Sequence, residues 1–195
     1  MIILDIHPIP FFIIFAVLCL VYYMLFKKNK LNPGKKLLCY YAYLFYFVLL
    51  VKVTVFPVFI IYSSTGEHIY KNARWLNIKP FDTVMKNFSS TSGLIQFFGN
   101  IILLMPLVYF LKYMAEKCFS SLKIMTLSFL TSVAIEGIQA LINICTEFPC
   151  HAVDIDDVIL NVSGAFLMLC ILKLIDKLNP EFLKHINRLF VTAEL

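Results

Sequence analysis

The feature that most restricts this chain is a series of five long apolar runs. A helix that crosses a bilayer needs about 20 mostly apolar residues, with about 17–25 the usual range. Residues 9–26 carry no charge at all, and residues 37–59 are interrupted only by Lys52. Residues 94–111 follow, then 124–144, which hold Glu136. Residues 155–175 are the weakest run, with Asp156 and Asp157 at the start and Lys173 near the end. A soluble core helix would interrupt such runs with surface residues every turn. Composition agrees, since 61% of the residues are hydrophobic against roughly 45–50% in soluble domains. The expectation is an all-α integral membrane bundle of about five transmembrane helices, forming one unit over residues 1–195. Beyond Asn179-Pro180, Phe182, Ile186, Leu189 and Phe190 recur at helical spacing among Lys184, His185 and Arg188. That pattern predicts an amphipathic tail over 179–195, lying on the inner membrane surface.

The net charge of +5 does not point to nucleic acid. The lysines form no single basic stripe, and no reading motif accompanies them. They cluster at the ends of the apolar runs, where they set topology. Twelve basic residues fall on one side: Lys27, Lys28, Lys30, Lys35 and Lys36, then Lys112, Lys117 and Lys123, then Lys173, Lys177, Lys184 and Arg188. Lys71, Arg74, Lys79 and Lys86 fall on the other. The larger group belongs in the cytoplasm, which predicts an outside N-terminus and an inside C-terminus. Loops 60–93 and 145–154 then face outward. Asp5 and His7 precede the first run in place of a basic region, so a cleaved signal peptide is not expected.

No cysteine spacing matches a metal site. Cys19, Cys39, Cys118 and Cys170 read as small apolar side chains in or beside the runs. Cys145 and Cys150 lie close together in a loop, and a disulfide there is one possibility.

Polar residues inside the runs are more informative. Ser128, Ser132, Glu136, Gln139 and Asn143 are spaced by three and four, so all five share one helix face. Asp154, Asp157, Asn161 and Gly164 repeat that spacing, and Gln96 and Asn100 are four apart. With a rise of about 1.5 Å per residue and a core of about 30 Å, Glu136 lies roughly 12 Å below the outer edge. Gln139, Asn100, Asn161 and Lys52 lie roughly 8–9 Å below it on the same scale. Four helices thus place polar groups in the outer half of the membrane, which predicts one polar pocket open to the outside. Interhelical hydrogen bonding alone accounts for Gln96, Ser128 and Ser132. It does not account for Glu136, because a carboxylate at that depth is costly unless paired or protonated. Lys52 is its nearest plausible partner.

The densest cluster is His151-Ala-Val-Asp154-Ile-Asp156-Asp157. Capping of a helix N-terminus explains one of these carboxylates. An oxygen-rich divalent cation site, with Asp154 and Asp157 as ligands, is the alternative. Asp154 and Asp157 share the Asn161 face, while Asp156 is rotated by roughly 100° from Asp157. Asp156 is therefore expected to point away from the pocket, and Asp156→Asn to be mild. No nucleophile elbow, zinc motif or phosphate loop is present.

Four motifs in this order resemble the VanZ-like family. They are Asn77-Ile-Lys-Pro80-Phe81, Gly99-Asn100 with Pro106, Ser132 through Glu136 to Gln139, and Asp154-Ile-Asp156-Asp157 through Asn161 to Gly164. The resemblance covers roughly residues 40–175. It implies a small multi-pass protein of the bacterial plasma membrane. The family's named member is associated with teicoplanin resistance without altered peptidoglycan precursors. The resemblance also marks Asn77, Pro80, Asn100, Pro106, Glu136, Gln139, Asp154, Asp157, Asn161 and Gly164 as characteristic positions. Where many members carry Arg, this chain has His151, so anion binding at that point is not assured.

Three functional expectations follow. The first is a binding role, in which Asn100, Glu136, Gln139, His151, Asp154, Asp157 and Asn161 engage a membrane lipid or cell-wall precursor and reduce antibiotic access. The second is an enzyme acting on a lipid-linked substrate, with Glu136 or Asp157 as acid or base. The third is a scaffold whose polar groups only join helices. No cofactor is expected beyond the divalent cation of the second reading.

Overall fold

The computed structural model describes residues 2–5, 7–28, 34–60, 74–113 and 119–181. Its helices are α1 (Pro8–Lys28), α2 (Gly34–Val55), α3 (Asp82–Asn87), α4 (Thr91–Leu103), α5 (Met105–Tyr113), α6 (Ser121–Thr146) and α7 (Ile155–Leu178). The described residues also form four short strands: β1 (Ile2–Leu4), β2 (Val58–Ile60), β3 (Leu76–Asn77) and β4 (Val153–Asp154). β1 and β2 pair antiparallel, with Ile3 opposite Phe59. β3 and β4 pair parallel, with Asn77 opposite Asp154.

The distribution of side chains is that of a membrane protein. Ser128, Ser132, Glu136 and Asn143 are buried on α6, while Leu122, Phe129, Leu130 and Leu141 are exposed. A water-soluble helix reverses this pattern. Among the described residues, three stretches are long and apolar enough to cross a membrane: Thr91–Tyr113, Ser121–Thr146 and Ile155–Leu178. Pro8–Met24 and Tyr40–Val55 are shorter apolar helices.

The stretch expected as one continuous span over 94–111 is broken at Leu104, between α4 and α5. Pro106 is the cause: it has no N–H, and its ring crowds the carbonyl four residues earlier. The freed groups find other partners. Ile102 O accepts from the Leu104 N–H, and Leu103 O accepts from the Tyr46 hydroxyl at 2.9 Å. Such local repair is what makes proline tolerable inside a membrane helix.

α7 is the central helix and packs against α4, α5 and α6. Val108, Tyr113, Ile124, Ala165, Leu169 and Leu172 form one buried cluster, and Leu50, Leu104 and Ile135 form a second. α2 joins this bundle through Tyr43, whose ring stacks on Phe110. α1 joins α2 through Phe11 and Phe15, which meet the Phe45 ring edge-on. At the end of the bundle away from β3 and β4, Lys112 pairs with Asp176 at 3.0 Å.

Cys145 and Cys150 are both free, so the disulfide is not formed. Cys150 faces the backbone of β2 instead, its sulfur accepting from the Phe59 N–H at 3.3 Å. The expected amphipathic tail lies, from residue 182 on, outside the described residues. So do residues 61–73 and residues 114–118.

Candidate functional site

The parallel ladder of β3 and β4 builds the first part of the site. It sets Asn77 opposite Asp154, and Val153 N donates to Trp75 O at 2.7 Å. The Asn77 amide then donates to both Asp154 oxygens, at 3.2 and 3.3 Å, and to the Thr83 hydroxyl at 2.8 Å. Asp154 is also the N-cap of α7, accepting from the Asp156 N–H at 2.9 Å. Its own N–H donates to Glu136 Oε2 at 2.9 Å. Glu136 therefore reaches across from α6 to the start of α7.

Asp156 and Asp157 turn in different directions. Asp156 is buried and accepts the backbone N–H groups of Phe81, Thr83 and Val84. It caps α3, a helix about 75 residues earlier in the chain. Phe81 has φ 64°, a left-handed conformation that non-glycine residues rarely adopt, and the bond to Asp156 helps to hold it there. Asp157 faces α4, where Gln96 and Asn100 occupy one face. Their amides donate to Asp157 Oδ1 at 3.2 and 2.5 Å. Among the described residues, its second oxygen has only the longer contact to Gln96, at 3.5 Å. A small open cleft lies against both carboxylates, walled by Thr83, Val84, Phe88, Gly93, Phe97 and Leu160.

The carboxylates of Glu136, Asp154 and Asp157 lie within electrostatic range of one another. Glu136 does not pair with Lys52 as expected. The Lys52 ammonium sits over the Phe11 ring, 5.5 Å from its centroid, and Glu136 uses a backbone N–H instead. Asn161 is buried but turns to Ser132, one turn of α6 below Glu136, donating at 2.9 Å. The polar groups of the spans thus face the bundle interior. They divide into a carboxylate–amide group near the ends of the helices and an Asn161–Ser132 bond beneath it.

Gln139 and His151 lie elsewhere. The Gln139 amide donates to Thr54 O at 2.9 Å, and His151 Nε2 bonds Val55 O at 3.1 Å. Both satisfy carbonyls at the C-terminal end of α2, which has no further turn to do so. Asn143 exchanges two bonds with the His151 backbone, at 2.7 and 3.0 Å. A carbonyl only accepts, so Nε2 carries a hydrogen and is committed to Val55, which leaves Nδ1 as the ring nitrogen for any further partner.

Burial pushes the His151 imidazole below its usual value, opposed in part by the bond to Val55. The unfolded chain then binds this proton more readily than the folded chain does. Stability is accordingly full above the ordinary histidine value, about 6.5, and declines as pH falls below it. The melting temperature of the purified protein in detergent should drop on acidification. His151→Gln keeps a donor for Val55 without titrating, so the drop should shrink. An identical drop in the variant would assign it to other groups.

Sequence reasoning placed Asn100, Asp154 and Asp157 among the site residues, and they stand together with Glu136. It undervalued Gln96, which bonds Asp157 directly, and did not single out Thr83. Among the described residues, no three His, Cys, Asp or Glu side chains are arranged to hold a metal ion. Asp154 and Asp157 each face a different set of amides.

No curated protein and no solved structure matches the chain. The model of one family, VanZ/LLP1, matches residues 43–176. That stretch runs from the middle of α2 to the last turns of α7 and contains Asn77, Gln96, Asn100, Glu136, Asp154 and Asp157. Covering well over half of the 195 residues, the match makes this chain a member of the VanZ/LLP1 family.

Proposed function

We propose that this VanZ-type membrane protein lowers the susceptibility of a bacterium to teicoplanin-type glycopeptides by engaging an envelope component, a membrane lipid or a cell-wall precursor. In this reading it resides in the plasma membrane with about five spans, its N-terminus outside and its C-terminus inside. The carboxylate–amide group then faces outward, where such components are found.

The observation that carries the proposal is the state of Asp157. Gln96 and Asn100 hold its carboxylate through neutral amides, and both aim mainly at Oδ1. A carboxylate accepts about four hydrogen bonds. Oδ2 therefore keeps acceptor capacity beside the cleft. The chemistry suits a ligand rich in hydroxyl or ammonium donors, as sugars and lipid headgroups are.

Asp157→Asn tests this, because the amide keeps the size of the side chain and loses the charge. In a susceptible Gram-positive host, the wild-type gene should raise the teicoplanin concentration needed to stop growth. The variant should return it to the level of the empty vector, with equal protein in the membrane. Full protection by the variant would remove Asp157 from the function. Lipid and wall-precursor profiles of the same strains separate binding from catalysis. Altered profiles would favour the enzymatic reading, with Glu136 and Asp157 as the acid–base pair.

A further inference from the structure

The short segment before α4 exposes apolar side chains that no part of the described protein covers. Ile78 is 75% exposed and Met85 81% exposed, and Leu76, Phe81 and Phe88 are also on the surface. An apolar patch of this kind on a small turn marks a contact surface.

Two observations identify the partner as lipid. The first is continuity. The Phe88 ring meets Phe97 edge-on at 5.4 Å, and Phe97 meets Phe98 in the same way at 5.2 Å. Phe98 belongs to the exposed apolar face of α4, together with Ile95 and Ile102. That face is the outer surface of a membrane-crossing stretch. The patch therefore prolongs the exposed apolar face of a stretch long and apolar enough to cross a membrane.

The second is the backbone. Outside regular helices, chain near lipid must have its N–H groups satisfied internally. From residue 79 to residue 85 every one is. Lys79 donates to the Asn77 side chain and Asp82 to Lys79 O. Phe81, Thr83 and Val84 donate to Asp156, and Met85 donates to Phe81 O. Pro80 has no N–H to satisfy. The segment can therefore meet the edge of the apolar layer without leaving these donors unpaired. Lys79 is exposed on the same segment and available to headgroup phosphates, while the exposed Lys86 pairs with Asp82 at 2.5 Å.

We propose that residues 76–88 form a membrane-surface element, with Ile78, Phe81, Met85 and Phe88 set into the boundary between headgroups and acyl chains. Elements of this kind sit about 5–10 Å into that boundary. Thr83, Val84 and Phe88 also wall the Asp157 cleft. The mouth of the cleft consequently opens at headgroup level, where a ligand can arrive sideways from the bilayer. The placement of the segment does not depend on what the cleft binds.

Trp75 is the one tryptophan of the chain and adjoins the segment. The full chain is reconstituted in phosphatidylcholine–phosphatidylglycerol vesicles with bromine at shallow or deep acyl positions. Emission is then read for the unmodified protein and for a Trp75→Phe, Met85→Trp variant. The indole at position 85 should lose most of its emission to shallow bromines, less to deep ones and little to aqueous iodide. Trp75 should follow the same order with smaller losses, and it supplies the reading if the variant does not fold. Quenching by iodide and not by bromine would put the segment in water and overturn the proposal. Protection from both quenchers would mean that protein covers the patch, which overturns it equally. Stronger quenching by deep bromines would place the segment in the hydrocarbon core and also overturn it.

Discussion

Gly164→Ala should disable the protein, although it adds a single methyl group. A Cβ at position 164 would lie 1.8 Å from Ile101 O, 2.6 Å from Ile101 C and 3.0 Å from Ile101 Cα. These are backbone atoms of α4, so no side chain can swing aside to make room. α4 and α7 must separate instead. The expected loss is about 3 kcal/mol, the upper part of the range for overpacking. Separation has a second consequence, because Gln96 and Asn100 ride on α4 while Asp157 rides on α7. The amides would be drawn away from the carboxylate, so the site should fail with the packing. Ser163→Ala is the natural comparison. Ser163 is exposed and its hydroxyl bonds the carbonyl of Ile159 in its own helix at 2.7 Å, so its loss should be mild. The yield of monodisperse protein in detergent and its melting temperature measure both. If Gly164→Ala melts where Ser163→Ala does, the two helices are not in backbone contact.

Side-chain periodicity was enough to read which faces of the spans turn inward. Ser128, Ser132, Glu136 and Asn143 are buried together on α6, as their spacing of three and four requires. The same periodicity separated Asp156 from Asp157. What it could not supply was the identity of partners. Lys52 and Glu136 have similar computed depths, but depth along a helix says nothing about rotation, and the ammonium meets an aromatic ring instead. Gln96 looked like ordinary interhelical polarity because its spacing is the same whether it meets another amide or a carboxylate. Asn161 and Asn100 share a depth, yet one turns to Ser132 and the other to Asp157. The break at Leu104 follows from Pro106 and was present in the sequence as a single residue. Hydropathy averages over the stretch and does not register it. Asp156 is the furthest from legibility, since its partners are backbone N–H groups that carry no side-chain signal.

That hidden role changes what substitution at Asp156 should do. Rotation about α7 alone suggested that Asp156→Asn would be mild, because Asp156 points away from the cluster around Asp157. It instead borders the same cleft as Asp157, with its carboxylate turned to the start of α3. It accepts from Thr83 N at 3.0 Å, Val84 N at 3.1 Å and Phe81 N. The side chain is 1% exposed, so water cannot take its place. An asparagine offers one oxygen and turns an N–H₂ group toward the donors that remain. A buried donor left without an acceptor costs about 1–3 kcal/mol. Asp156→Asn should therefore cost about 2 kcal/mol, and Asp156→Ala more, because all three donors then lose their acceptor. The left-handed turn at Phe81 would lose its anchor at the same time. Asp157→Asn should behave differently, since its partners are side-chain amides that can keep the remaining oxygen or turn their own oxygen to the new N–H₂ group. The contrast is an unfolding defect for Asp156 and a folded but inactive protein for Asp157. Melting temperatures of the two variants, measured beside their effect on teicoplanin tolerance, make the comparison. If Asp156→Asn is as stable as wild type, the carboxylate does not hold α3. A matching loss of stability in both variants would assign the acidic cluster wholly to folding and remove Asp157 from any direct part in function.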